Sequence, residues 1–156
     1  IDTSDLNIHQ LRAEIERWFK PRVGNTLALS IHSFSYKRGL PRGMDMVFDC
    51  RFLINPHWEP ALRDLDGRDP KVAAHVATDV RFTPFFDRVL DLTRFLLPAY
   101  VDEGKSHLSI AFGCTGGKHR SVALTQALVN ALAEDGQQVS VRHRELERRG
   151  TDERPN

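Results

Sequence analysis

The stretch Leu108-Ser-Ile-Ala-Phe-Gly-Cys-Thr-Gly-Gly-Lys-His-Arg-Ser-Val122 constrains this chain more than any other. Leu108 to Phe112 is a short apolar run with β-branched Ile110, and it reads as a buried strand. Three of the five residues from Gly113 to Gly117 are Gly, so no regular element continues through them. From Lys118 onward, Val122, Leu128, Val129 and Leu132 mark an amphipathic helix that ends before Gly136. A strand that turns through glycines into a helix leaves backbone N–H groups aimed at one spot, and the helix dipole adds positive potential there. Lys118, His119 and Arg120 lie in the same turn. The loop is therefore expected to hold a phosphate. It is not a Walker A loop, which needs four residues between its first Gly and a Gly-Lys-Ser/Thr end.

The rest of the chain alternates in period. Ile8, Leu11, Ile15, Trp18 and Phe19 fall on one helical face, with Ser4 or Asp5 as N-cap and Pro21 as stop. Leu27, Leu29 and Ile31 alternate in a strand from Thr26 to Phe34, and a basic, turn-rich loop follows from Ser35 to Asp45. Met46 to Phe52 is a second strand, broken by Asp49 and Arg51. Leu53 to Pro60 is irregular around two prolines. Asp69-Pro70 opens a helix through Val76. Thr83-Pro84 repeats that signal ahead of a longer helix that carries Phe82, Phe85, Phe86, Val89, Leu92 and Leu96 and ends or kinks near Pro98. Val139 to Val141 is a last strand, and Arg142 to Arg149 is a charged tail. Four strands set between helices predict one α/β layer-type domain with a short, mostly parallel sheet flanked by helices. Ligands of such sheets sit beyond the carboxyl ends of the strands. The loops after Phe34, Phe52 and Phe112 are thus expected to converge.

Charge and cysteine content narrow the function classes. Lys and Arg number 22 against 21 acidic residues, a net charge of +1. Nucleic-acid binding would therefore need a local patch. Cysteines at 50 and 114 make no disulfide framework and fit a reducing, cytoplasmic compartment. No apolar run approaches the ~20 residues of a membrane span. The first residue is Ile rather than Met, which points to a piece of a longer chain with residues 1–6 as a linker remnant, 7–150 as the domain and 151–156 as a frayed tail.

Beyond the loop, Asp49 is the residue to explain, because a carboxylate in an apolar strand is costly unless paired. Asp49 and Arg51 share a strand face while Cys50 points the other way. That arrangement permits an ion pair between them and equally permits both to face a ligand. Asn55 and His57 sit between prolines, as turn residues or as ligand contacts, and Trp58 reads as a packing anchor. Cys114 at a helix N-terminus, beside Lys118 and Arg120, has the setting of a nucleophile; the alternative is a small residue lining an anion pocket. In the tail, Arg142, Arg144, Arg148 and Arg149 alternate with Glu145 and Glu147, the pattern of a solvated face or of an RNA-contacting one.

Val47-Phe-Asp-Cys-Arg-Phe-Leu-Ile-Asn-Pro-His-Trp58, Gly113-Cys-Thr-Gly-Gly-Lys-His-Arg-Ser-Val122 and Arg142-His-Arg-Glu-Leu-Glu-Arg-Arg149 resemble the C-terminal domain of the RNase adapter protein RapZ family. The resemblance covers almost the whole chain. It implies a regulatory domain that senses glucosamine-6-phosphate, binds small regulatory RNA, presents it to RNase E, and contributes to homo-oligomerisation. By motif, Asp49, His57, Cys114, Thr115, Gly116, His119 and Arg120 would line the sugar-phosphate pocket, with Arg51, Asn55 and Gly117 as neighbours in the same two segments. Lys37, Arg38, Arg148 and Arg149 would contact RNA, with Arg142 and Arg144 from the same tail. No catalytic residue, metal or cofactor is implied here, since the family's nucleotide belongs to a separate N-terminal P-loop domain. A second resemblance competes. Cys114, five residues, then Arg120-Ser121 is similar to the phosphate loop of Cys-dependent phosphatases, although Gly113 stands where those enzymes usually carry His.

Overall fold

The computed structural model describes residues 27–152, together with positions 8, 10 and 12. The predicted linker, nearly all of the predicted first helix, and residues 153–156 lie outside the described residues.

Four strands form one sheet: β1 (Ala28–Ser35), β2 (Met46–Asp49), β3 (His107–Cys114) and β4 (Val139–His143), in the order β2-β3-β1-β4. Every pairing is parallel. The carboxyl ends Ser35, Asp49, Cys114 and His143 therefore lie along one edge, as the alternation of elements predicted. The helices are α1 (Pro70–Ala77), α2 (Phe82–Glu103), α3 (Arg120–Glu134) and α4 (Arg144–Asp152). Asp69 caps α1 by accepting from the Lys71 amide, with Pro70 at the first position. The α2 helix does not stop at Pro98 but continues to Glu103, closed by Gly104 in the left-handed region at φ 90°.

The core is the interface between the sheet and α3. Leu29 and Ile31 of β1 and Leu108, Ile110 and Phe112 of β3 meet Leu124, Leu128 and Leu132 of α3, all essentially without solvent contact. Val72 and Val76 of α1 and Val89 of α2 close that layer. Cys50 belongs to it, which is where strand alternation places a side chain opposite in sense to Asp49 and Arg51.

Both faces of a parallel sheet are normally covered, and the polar positions of β1 are buried as well. Ser30 bonds to Ser109 at 3.1 Å and to the His107 ring at 3.1 Å, and His32 Nε2 lies 3.1 Å from Ser30 Oγ. Arg144 Nε donates to His32 Nδ1 at 3.3 Å, which requires that nitrogen to be unprotonated. Burial first, then the cations Arg144 and Arg142, push the His32 pKa down to about 4.

The charged tail is not simply a solvated face. It forms α4, which packs against β1, and its Glu145 is buried at 7 % exposure. The Glu145 carboxylate faces Arg38 and Arg149, each at 3.6 Å.

Candidate anion-binding cleft

Beyond the carboxyl ends of β1 and β3 lies a cleft of about 490 Å³, lined by the Cys114–Arg120 loop on one side and by the segment from Asn55 to Asp64 on the other. Its floor is built by close backbone approaches. Gly117 has φ 66°, and a Cβ there would lie 2.8 Å from the Ser35 amide, so the loop can pass over the end of β1 only with glycine. Ser35 Oγ fixes the crossing by donating to the Thr115 carbonyl at 2.7 Å. Gly116 has nothing within 4 Å of its Cβ position, so it faces open space. At Gly113 a side chain would collide with the rings of Phe34 and Tyr36. The position that carries His in Cys-dependent phosphatases is thus filled here by two aromatic rings.

The loop feeds α3 with no side-chain cap on its first turn, since His119 as N-cap residue makes no capping hydrogen bond. Uncapped first-turn amides and the helix dipole favour an anion. Arg120 follows directly and is 5 % exposed. Its Nη1 donates to the carbonyls of Arg51 at 2.7 Å and Leu53 at 3.1 Å. Its Nε is buried with no hydrogen-bond partner among the described residues. A buried guanidinium N–H without an acceptor costs free energy. Here it belongs to a residue that lines the cleft.

The opposite wall is tied to the loop through the Arg63 carbonyl, which accepts from Lys118 Nζ at 2.9 Å and lies 3.2 Å from His119 Nε2. Burial, then the neighbouring Lys118, holds the His119 ring below the usual pKa, so it is a neutral hydrogen-bonding group near pH 7. Gly67 brings this wall in. Its amide bonds the Lys118 carbonyl at 2.9 Å, and a Cβ there would collide with the His119 carbonyl and the Ala123 amide. Asn55 Oδ1 accepts from the His57 amide, and Arg63 Nε donates to the His57 carbonyl, which fixes the short 3-10 turn Pro56–Trp58.

Of the ligand residues expected from sequence, Asn55, His57, Cys114, Thr115, Gly116, His119 and Arg120 share this cleft. Gly117 supports it from beneath. Asp49 and Arg51 do not line it. Asp49 is exposed, because β2 is an edge strand that ends there. Arg51 grips it with Nε at 3.0 Å and Nη2 at 2.6 Å, holding its carboxyl below the usual carboxylate range, and stacks its guanidinium 4.0 Å over Tyr36. The burial cost expected of Asp49 therefore does not arise, and the ion pair is the alternative that the structure displays. Trp58 is not a packing anchor either: it is 76 % exposed at the cleft. Cys114 is buried, with Sγ 3.1 Å from Ser121 Oγ.

Sequence reasoning missed Arg63, Asp64 and Lys118 as lining residues. Lys118 lay inside the loop motif and was legible as charge. Arg63 and Asp64 sit in an aperiodic stretch that carries no signal. Lys37 and Arg149, expected on an RNA surface, also line the cleft. Of the other residues expected there, Arg38 faces Glu145 at 3.6 Å, Arg142 pairs with Glu147 at 3.0 Å, Arg144 donates to His32, and Arg148 lines a neighbouring cleft with Arg38, Arg42 and Arg144. Among the described lining residues, five Lys and Arg face one carboxylate, Asp64, so the lining carries an excess of positive charge. No cluster of His, Cys, Asp and Glu among the described residues could hold a metal ion, and no described helix is long and apolar enough to cross a membrane.

Residues 27–147 match the family described as the RapZ C-terminal domain. A nucleotide-binding protein of Ruegeria pomeroyi is 68 % identical over 155 residues, 99 % of this chain and 55 % of that protein. One from Ruegeria sp. strain TM1040 is 71 % identical over 94 % of this chain and 48 % of its own length, and one from Roseobacter denitrificans is 60 % identical over 98 % and 52 %. The chain thus spans about half the length of the curated relatives it matches. With a profile match over most of its residues and relatives this similar, the chain belongs to the RapZ C-terminal domain family.

Proposed function

We propose that the cleft is the sensing site of a RapZ-type regulatory protein and that its ligand is glucosamine-6-phosphate. Membership of the family supports the regulatory role. The observation that carries the ligand is Arg120: its guanidinium is oriented in advance by two carbonyls, and its buried Nε lacks an acceptor. A phosphate oxygen supplies that acceptor and meets the uncapped start of α3. Gly116 leaves the space for it, and Lys37 and Arg149 add charge at the rim. The ligand's ammonium needs a carboxylate. Asp49 takes that role by exchanging Arg51 for the ligand; Asp64, already in the cleft, is the geometric competitor. Calorimetric titration with glucosamine-6-phosphate and glucose-6-phosphate tests this. Loss of one charge-assisted contact is worth ~1.5–3 kcal/mol, or roughly ten- to a hundredfold in affinity. The amino sugar should bind tighter by that factor, and Asp49→Asn should remove the preference. Equal affinities on the unsubstituted chain refute ammonium recognition, and loss of preference in Asp64→Asn alone moves the role to Asp64.

In the same reading, Lys37, Arg38, Arg142, Arg144, Arg148 and Arg149 contact the backbone of small regulatory RNA, which the intact, oligomeric cytoplasmic protein presents to RNase E. The supporting observation is that the loop after β1 and α4 bring Arg38, Arg42, Arg144 and Arg148 around one cleft of about 430 Å³. The exposed Arg142–Glu147 pair is weak and exchangeable for a phosphate. Replacing Arg148 and Arg149 by Ala should weaken RNA binding and flatten its salt dependence by about one unit of slope per lost contact. An unchanged slope excludes α4 from the interface. A Cys-dependent phosphatase is the second reading, favoured by Cys114 Sγ beside Ser121 and by Asp64 in the same cleft.

A further inference from the structure

Trp58 has no structural reason to be where it is. A tryptophan is among the largest apolar surfaces a chain can bury, and this one is 76 % exposed at the mouth of a cationic cleft. It is also not loose. Its amide bonds the Asn55 carbonyl at 3.2 Å, closing the turn, and Pro56, at the start of that turn, is buried. The preceding residue is held at both its amide and its carbonyl, by Asn55 and Arg63. The His57 ring stands edge-on to the indole at 5.4 Å between centroids, interplanar angle 79°. A braced turn therefore keeps a flat apolar ring at the cleft, across from the loop that ends in Arg120.

Resting on the sugar-phosphate reading of the cleft, we propose that Trp58 is a stacking platform for the body of the ligand, so that the cleft selects phosphates that carry a sugar ring over free phosphate. The two walls divide the work. The glycine loop and Arg120 take the anionic end, and nothing in that wall reads what the phosphate is attached to. The opposite wall offers one large apolar surface, flanked by Asn55 and His57. A pyranose has an apolar C–H face and hydroxyls around its edge. Its face suits an indole, and its hydroxyls suit the amide of Asn55 and the ring of His57. A nucleobase would also stack on an indole. A sugar phosphate is favoured because lengthening a phosphate by one ring is the step that a single cleft holding both walls accommodates, and because the Asn55 and His57 side chains adjoin the platform.

The test is a set of titrations of the chain and its Trp58→Ala and Trp58→Phe variants with inorganic phosphate, glucosamine-6-phosphate and uridine 5′-monophosphate. Trp58 is exposed, so both variants keep the fold, and unchanged phosphate binding verifies that. Trp58→Ala should weaken glucosamine-6-phosphate about tenfold, as expected for losing the apolar area of one ring face, and leave inorganic phosphate unaltered. Trp58→Phe should restore most of the difference. Equal effects on phosphate and sugar phosphate, or none on either, overturn the platform. A loss that falls on the nucleotide and spares the sugar phosphate overturns it in favour of a base-stacking role. If the unsubstituted chain binds neither phosphate nor sugar phosphate, the anion-cleft reading fails first and the platform with it. Sugar phosphate bound by the unsubstituted chain and equally well by Trp58→Ala sinks the platform alone and leaves the anion cleft standing.

Discussion

Arg120→Lys separates what the guanidinium does for the fold from what it does for a ligand, because lysine keeps the charge and loses the fork. In the folded chain Nη1 donates to two carbonyls, Arg51 at 2.7 Å and Leu53 at 3.1 Å. An ammonium on a straight stem has one tip and cannot meet both carbonyls while reaching the cleft. The Leu53 carbonyl is the costlier one to leave without a donor, because that bond is buried. A charge-assisted hydrogen bond is worth ~1.5–3 kcal/mol, so stability should fall by about 2–3 kcal/mol. For a domain of this size that is a drop in Tm of roughly 4–12 °C. Binding should fall separately. Loss of the Nε contact to an oxyanion removes another ~1.5–3 kcal/mol, a ten- to hundredfold weakening of inorganic phosphate. Differential scanning fluorimetry reads the first effect and calorimetry, well below the variant's Tm, reads the second. Phosphate affinity within twofold of the unsubstituted chain would refute Nε as the anchor. A Tm within about 2 °C would refute the carbonyl clamp.

Two further outcomes follow from the same geometry. The chain and its Cys114→Ser variant should both leave p-nitrophenyl phosphate unhydrolysed, because Cys114 is 2 % exposed and the phosphatase histidine position is closed by Phe34 and Tyr36; robust turnover abolished by the substitution would install the phosphatase reading instead. Acid should destabilise the fold through His32, whose pKa is about 4 when folded and about 6.5 when unfolded. The unfolded chain takes up that proton first as pH falls, so stability is complete above about pH 6.5 and declines toward pH 4, by about 3 kcal/mol at most. His119 and His143, also depressed by burial, act in the same direction. Urea midpoints from pH 7.5 to 4.5 should fall more steeply for the unsubstituted chain than for His32→Gln, and parallel profiles would remove His32 from the acid response.

The parallel sheet was legible because four apolar runs alternate with helical periods and breakers, and a parallel sheet needs such crossovers. The boundaries of α1 and α3 were legible from Asp69-Pro70 and from the glycines. Pro98 reads as a stop or a kink, and the stop is excluded, since α2 runs five residues further. Asp49 misled. Strand alternation gave its face correctly, but no local signal says that β2 is an edge strand, and on an edge a carboxylate meets water. Trp58 is the converse case, a residue whose type predicts burial and whose turn holds it outward. The Arg142–Arg149 run looks solvated because its charges alternate, while Glu145 is buried and faces Arg38, which lies more than 100 positions earlier. Pairings of that separation leave no trace in a window of sequence.

The glycines show where legibility stops. Gly113, Gly116 and Gly117 stand in one motif and read alike, as the permissive residues of a tight turn. In the structure each answers a different demand. Gly113 yields its side-chain space to Phe34 and Tyr36, Gly117 crosses β1 at positive φ, and Gly116 alone remains open. Of the three, that last position alone leaves space at the cleft, so the motif points to a tight loop while hiding which of its members makes room. Gly67 lies some 50 residues before the motif and reads as an ordinary turn residue. Yet it is the one whose missing Cβ lets the second wall close on the start of α3, carrying Arg63 and Asp64 to the cleft. In the proposed reading the loop supplies the charge for a phosphate. The close approach at Gly67 converts that loop into a two-walled cleft, and two walls are what allow a site to distinguish one phosphate from another.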